Sequence, residues 1–325
     1  MTELPTALRD PSARLRHVLA IEQLDPPGDP LLVESESNDV WKIGDLFVRV
    51  CWRGDRARLE RERLVATHLP EGIPYPPILS GGRDEVLSWT ITRELPGATL
   101  SDRWDSLPVD ERRAAIRQHA QVLKTLHGWQ PPPRVAAALR RRPPIDPSRP
   151  ATIVGADVNP LPLSRATRLV QAARGLPFVD PDVIDAVAAV FHELRAVDPF
   201  VTDDLVVVHG DAGLTNVLWH DARLVALLDF EWVRWGPRDL ELAPFIEFLG
   251  GRSLLLAWLE EDYPQLFGHP AVIERLWLYE LAGALRGVVV WPPRSLEDSQ
   301  RPYGALWQLR TAIEGPAHIK ELLGR

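Results

Sequence analysis

The stretch "VVVHGDAGLTNVLW", residues 206–219, constrains the fold more than any other part of the chain. A run of valines suits a buried strand, where β-branched side chains pack well, yet it breaks at once into His209, Gly210 and Asp211. Asn216 opens a second apolar run, "NVLWHD", and a third, "ARLVALLDF", closes around Asp229. The pattern predicts a strand, a polar loop and a hairpin, with side chains delivered from the strand ends to one fixed place. Rigid scaffolds present catalytic groups in this way. Taken singly, Asp211 or Asn216 reads as a turn builder, as Asx residues often are. Taken together with Asp229, they offer the hard oxygen donors that Mg2+ accepts beside substrate phosphates. Asn216 and Asp229 suit the metal, and Asp211 is left to orient a substrate hydroxyl and accept its proton.

The 325 residues can bury a large core and suffice for two domains or for one domain with two lobes. After a short helix near residues 11–20, strand-like pieces appear at "LLVES", "NDVWKIG" and "LFVRVCW". "DRARLERERLVATHL" places Leu59, Leu64, Val65 and Leu69 at helical spacing, and further strands lie near Ile78 and along "EVLSWTITREL". Pro96 and Gly97 mark a change of character. Beyond them "PVDERRAAIRQHAQVLKTLHG" reads as a long helix, with Pro108 near its start and Gly128 at its end. A proline-rich segment over 131–165, containing "RRRPP", reads as solvated loop, and helices resume near Leu163 and from Pro181 to Ala196. The chain from Leu240 onward is helical, and Trp258, Trp277, Trp291 and Trp307 read as packing residues. The expected fold class is α+β, with an N-terminal antiparallel sheet carrying one main helix over residues 1–96. A larger, mostly helical lobe over 97–325 carries the catalytic hairpin.

Composition narrows the function. With 37 Lys and Arg against 45 Asp and Glu, the net charge of -8 argues against nucleic-acid binding and favours a cationic small-molecule partner. The single cysteine, Cys51, excludes an intrachain disulfide and a multi-thiolate metal site, and reads as a buried strand residue. The N-terminus lacks the apolar core of a secretory signal, and no apolar run reaches the roughly 20 residues that span a bilayer. The expectation is a cytoplasmic protein without membrane partners. The sequence carries no mark of oligomeric state.

The spacing H-x-D-x-x-x-x-N followed by D-F matches the catalytic and metal loops of kinases. With Gly210 at its centre, "HGDAGLTNVLW…LLDFEW" resembles the aminoglycoside phosphotransferase and choline kinase superfamily of small-molecule kinases. That resemblance implies a two-lobed protein-kinase-like fold, Mg2+, and ATP or GTP as phosphoryl donor. It implies Asp211 as catalytic base, His209 as support of the loop, and Asn216 and Asp229 as metal ligands. "ESESNDVWKIGDLFVRV" resembles the family's first strands, so Ser35, Ser37 and Asn38 would close over the phosphates. Arg49 would stand where many relatives place a phosphate-binding Lys. Glu62 would hold it, with Glu60 as the alternative. "ITRELPGATL" resembles the hinge between the lobes, where backbone groups from Arg93 to Leu95 would meet the nucleobase. After Asp229 the family braces its catalytic loop with an Asp-Leu pair. Here "GPRDLEL" offers either Asp239 or Glu241.

The resemblance implies a small-molecule hydroxyl as acceptor, an aminoglycoside-type antibiotic before a metabolic substrate such as choline, homoserine or a sugar. A nucleotide-binding protein without catalysis is the third reading, and the intact Asp211, Asn216 and Asp229 argue against it. Glu260, Glu261 and Asp262 read as a solvated helix end or as candidates for binding an aminoglycoside-type acceptor. Trp232 and Trp235 are candidates for caging a quaternary ammonium.

Overall fold

The computed structural model describes residues 4–25, 28–33, 35, 37–141, 146–148, 153, 163–198, 205–248 and 253–325. Its N-terminal lobe is built on five strands, β1 (Leu31–Val33), β2 (Asp39–Ile43), β3 (Leu46–Cys51), β4 (Ile78–Arg83) and β5 (Ser88–Arg93). They lie in the order β1-β2-β3-β5-β4, and every pairing is antiparallel. Helix α1 (Pro11–Glu22) starts where the Asp10 carboxylate accepts the Ala13 N–H at 2.9 Å. Its Leu15, Val18 and Leu19 pack on Trp41, Ile43, Val48, Val50, Trp89 and Ile91 to form a core of this lobe's own. Cys51 lies in the buried end of β3.

Helix α2 (Ala57–Ala66) joins β3 to β4. Leu59 and Val65 are buried as its periodicity predicts, but so are Arg58, Arg61 and Glu62. Buried charges are tolerated only when they are paired. This face of α2 meets the turn at Phe230–Trp232 just beyond the catalytic hairpin, and the pairing is found there.

At Gly97 the chain passes to the second lobe. Its φ of +117° and the 2.5 Å that would separate an added Cβ from the Trp219 carbonyl explain why a glycine stands there. Strand β6 (Ala98–Thr99) follows at once. Strand β7 (Val206–Val208) is fully buried and pairs with β10 (Arg234–Gly236). Strand β8 (Val217–His220) lies between β6 and β9 (Arg223–Leu227). The helices are α3 (Leu100–Arg103), α4 (Val109–Gly128), α5 (Pro133–Arg140), α6 (Leu163–Ala173), α7 (Pro181–Glu193) and α8 (Ala243–Phe248). Then come α9 (Ser253–Asp262), α10 (Val272–Val290), α11 (Leu296–Ser299), α12 (Ala305–Ala312) and α13 (Ala317–Leu322). The central α10 packs against α6, α8 and α12 within one large core.

Two expectations are corrected here. The start of the proline-rich segment is helical, because Pro133 occupies the first turn, where a missing N–H is harmless, and Val135 and Leu139 are buried beneath it. Most of the remainder of that segment lies outside the described residues. Trp258 and Trp277 pack against the core, whereas Trp291 and Trp307 are 48% and 38% exposed. Trp291 lies just past the end of α10 with the Arg286 guanidinium over its ring, and Trp307 meets the exposed Tyr303 ring at a tilt of 52°. Among the described residues no helix is long and apolar enough to cross a membrane.

Candidate active site

The loop after β7 is held by its own backbone. The His209 and Gly210 N–H groups donate to the two carboxylate oxygens of Glu241, at 2.5 and 3.1 Å. Burial works to raise the pKa of Glu241, but hydrogen bonding from His127 and the His209 N–H holds it below the usual range. Glu241 is therefore the brace. Asp239 is engaged elsewhere, in a buried pair with Arg275 at 2.7 Å and a hydrogen bond from the Tyr279 hydroxyl at 3.0 Å.

Gly210 has φ +83°, and a Cβ there would lie 2.7 Å from the Arg234 guanidinium and 3.1 Å from the Trp232 carbonyl. The small residue between His and Asp is a steric requirement. His209 donates from Nε2 to the Leu228 carbonyl at 2.8 Å and accepts the Asp211 N–H on Nδ1 at 3.3 Å. Both ring nitrogens are thereby committed and one tautomer is fixed. Burial pushes the His209 pKa down, and its ring packs edge-on against Phe230. A neutral, doubly bonded imidazole shapes the loop and is not free to take a substrate proton.

Asp211 and Asn216 meet directly. The Asn216 amide donates to the Asp211 carbonyl at 2.8 Å and to its carboxylate at 3.1 Å, which aims that carboxylate and leaves Asn216 Oδ1 as a donor oxygen. The hairpin brings Asp229 alongside, because Val217 pairs with Leu227 and the Leu228 N–H donates to the Asn216 carbonyl at 2.7 Å. Asp229 adopts φ +63°, a left-handed conformation uncommon outside glycine and costly to hold without support. Among the described residues no three His, Cys, Asp or Glu side chains form a metal cluster. A single amide oxygen and a single carboxylate match instead the sparse protein ligation of Mg2+. A cation already stands in at this carboxylate, since Arg49 Nη2 lies 2.7 Å from Asp229 Oδ1.

Arg49 is the hub between the lobes. From β3 its Nη1 donates to both Glu62 oxygens at 2.8 Å, and its Nη2 also reaches Glu231 at 3.2 Å. Glu62 further accepts the Tyr75 hydroxyl at 2.8 Å and the Phe230 N–H at 3.1 Å. Burial raises the Glu62 pKa against the pull of Arg49, and burial likewise raises that of Asp229. Glu60, the alternative partner, is an exposed residue bonded to Arg83 at 3.3 Å.

The sequence reading did not single out Glu231 or Arg58. Glu231 is fully buried and accepts from Ser37 Oγ at 2.8 Å, Asn38 Nδ2 at 2.7 Å and Arg58 Nε at 3.0 Å. Burial alone would raise its pKa, but Arg58 and Arg49 with these hydrogen bonds hold it at about 2. A signal for Arg58 was present: it shares one helical face with Glu62 and Val65, at i, i+4 and i+7.

Ser37 and Asn38 thus reach the cleft through their bonds to Glu231, while Ser35 is exposed at the start of the same turn. At the hinge the Arg93 and Glu94 N–H groups donate to the Pro77 and Asp45 carbonyls, at 3.1 and 2.7 Å, and Leu95 is half-buried. The acidic trio at the end of α9 is ion-paired. Glu261 and Asp262 bind Arg113 of α4, and Glu260 binds Arg325 at 2.6 Å. The two tryptophans considered for a cage carry guanidinium groups on their rings. Arg286 lies 5.6 Å from Trp232 and Arg140 lies 5.1 Å from Trp235.

The model of the phosphotransferase enzyme family known as APH matches residues 31–275. An aminoglycoside 3'-phosphotransferase of Streptomyces ribosidificus is 38% identical over 56 residues, 17% of this chain and 20% of that protein. Among solved structures, a thermostable mutant of the aminoglycoside phosphotransferase APH(4)-Ia, in ternary complex with AMP-PNP and hygromycin B, aligns with a TM-score of 0.61 and 21% identity. That alignment covers 92% of this chain and 98% of the other. The GDP complex of aminoglycoside 2'-phosphotransferase-IIIa aligns with a TM-score of 0.64 and 15% identity, over 95% of this chain and 99% of the other. The shared fold is the two-lobed architecture described above.

Proposed function

The chain belongs to the phosphotransferase enzyme family, and from that premise we propose that it transfers the γ-phosphoryl group of ATP or GTP to a hydroxyl of an aminoglycoside-type acceptor. One observation carries the chemistry: Asp211, aimed by Asn216, stands across a hairpin from Asp229, to which Arg49 is already bonded. In this reading Asp211 aligns the acceptor hydroxyl and takes its proton as the oxygen attacks the γ-phosphorus. Arg49, anchored by Glu62, steadies the phosphates as the bond to the leaving nucleoside diphosphate breaks. Residues 1–96 carry the nucleotide, between the Ser35–Asn38 turn and the hinge at Arg93–Leu95, and residues 97–325 carry the acceptor. Asn216 Oδ1 and Asp229 would hold Mg2+, which when bound neutralises charge on the phosphates. Positioning and electrostatics account for most catalysis of this kind.

The relatives named above include proteins solved with hygromycin B, AMP-PNP and GDP, which supports both the nucleotide and the acceptor class. The guanidinium groups over Trp232 and Trp235 disfavour a quaternary ammonium acceptor, since a second cation would meet like charge there. An enzyme of this kind acts in the cytoplasm, and modification of the antibiotic is the basis of resistance. The deciding experiment is Asp211→Ala assayed with Mg·ATP and Mg·GTP against a panel of aminoglycosides. The expected result is loss of turnover by about a thousandfold or more, with thermal stabilisation by Mg-nucleotide retained. Wild-type turnover in this variant rules the assignment out.

A further inference from the structure

We propose that Glu231 is a positioning residue for the nucleotide: it ties the Ser37–Asn38 turn and Arg58 of the N-terminal lobe to the metal side of the cleft. The inference rests on the phosphotransferase reading and extends it to a residue outside the reacting groups. Glu231 and Arg58 are both fully buried. A buried guanidinium and carboxylate have more donors and lone pairs than they can satisfy on each other, and the Ser37–Asn38 turn supplies partners to both. The pair encloses the turn. Glu231 Oε1 accepts from the Ser37 hydroxyl at 2.8 Å, and Oε2 accepts from the Asn38 amide at 2.7 Å. Arg58 Nη2 closes the circuit from the other side, donating to the Ser37 carbonyl at 2.7 Å and to Asn38 Oδ1 at 2.8 Å. Main chain and side chains of the turn are gripped together, and each bond to Glu231 crosses from one lobe to the other.

The physical consequence lies in the width of the cleft. Asp229 stands two residues before Glu231, and Arg49 touches both carboxylates, at 2.7 and 3.2 Å. Fixing the turn to Glu231 therefore fixes it relative to Arg49 and Asp229, the groups assigned to phosphate and metal. Binding then begins from a set geometry and does not have to order the turn. A purely structural role would change stability and leave nucleotide affinity alone.

A double-mutant cycle on Glu231→Gln and Ser37→Ala separates the two, read as the Kd of Mg·AMP-PNP by calorimetry on the full chain. Calorimetry needs no acceptor. Glu231→Gln removes the charge while keeping the shape, and it is expected to weaken binding about tenfold. Ser37→Ala is expected to weaken it about threefold, and the double variant to bind no worse than Glu231→Gln alone. Unchanged binding in Glu231→Gln, or effects that multiply, overturns the tie while leaving the phosphotransferase reading intact. Absence of binding of both Mg·AMP-PNP and Mg·GMP-PNP by the wild-type protein overturns that reading, and the tie with it; if only the guanine analogue binds, the same cycle is read with it. Should Glu231→Gln fail to fold, Ser37→Ala and Asn38→Ala measured singly decide the matter, since two variants with wild-type affinity refute the tie.

Discussion

Glu231 and Glu241 are both fully buried, both stand after the catalytic hairpin, and both are held below the usual carboxylate range. They are stabilised by different means. Glu241 is bound by two backbone N–H groups of the loop it supports, with His127 Nε2 at 3.4 Å, all within one lobe. Glu231 is bound by two guanidinium groups, a hydroxyl and an amide, all from the other lobe. Backbone donors fix a loop in one geometry, because the peptide cannot move without breaking the strand beside it. Long side chains bridge two bodies and tolerate small displacements between them. One carboxylate thus shapes the loop that carries Asp211, and the other ties its lobe to the Ser37–Asn38 turn.

Glu241→Gln would break the comparison most severely. It turns an amide NH2 donor toward the His209 or Gly210 N–H group and leaves at least one of them unsatisfied, at about 1–3 kcal/mol. Displacement of Asp211 by about 1 Å would add roughly a hundredfold loss of kcat. Chemical denaturation with single-turnover kinetics checks both, and a variant of wild-type stability and rate removes Glu241 from its role.

A smaller effect separates the brace from its surroundings by pH. His119 of α4 is fully buried near Glu241 and His209, and among the described residues neither ring nitrogen has a hydrogen-bond partner. Burial lowers its pKa from 6.5 to about 4, although Glu241 pulls it upward. The unfolded chain therefore binds this proton first as pH falls. Above 6.5 the histidine is neutral in both states and contributes no pH dependence; between 6.5 and about 4 folding loses stability, approaching roughly 3 kcal/mol in total. His119→Leu should flatten that part of the acid limb. Denaturation curves at pH 7 and pH 5 that change by the same amount in the variant and the wild type would contradict the account.

The smallest effect concerns the acidic end of α9. Of its ion pairs with Arg113, the one to Glu261 lies at the surface, where Glu261 is 65% exposed, and the one to Asp262 is half-buried. An exposed pair such as that to Glu261 contributes under about 1 kcal/mol. Arg113→Ala is expected to shift the Tm slightly and to leave the acceptor KM unchanged. A lower KM for aminoglycosides would instead return Glu261 and Asp262 to the acceptor site.

The strand, loop and hairpin around Asp211 were legible in the sequence because they are local. Strand, loop and hairpin follow one another within residues 206–230, and the hydrophobic pattern marks each boundary. Arg49 and Glu62 came from the family resemblance, with Glu60 left open, and the fold shows Arg49 bonded to Glu62 while Glu60 faces Arg83. Glu231 stands two residues after Asp229, yet its role appears only when Ser37, Asn38 and Arg58 converge on it from more than 170 positions away in the chain. No local pattern reports such a meeting. The brace was ambiguous between Asp239 and Glu241 because both are acidic, and only the fold shows Asp239 turned toward Arg275 and Tyr279. The helix at Pro133–Arg140 was hidden by proline content, which marks a helix start as readily as a loop.

The left-handed backbone at Asp229 bears on which sequences evolution can explore. Besides glycine, aspartate and asparagine are the residues that enter this region most readily. Glutamate has the same charge but lacks the short side chain that makes the conformation accessible. The backbone thus screens substitutions at this position before any metal chemistry does, and of the residues that pass easily only aspartate carries a negative charge.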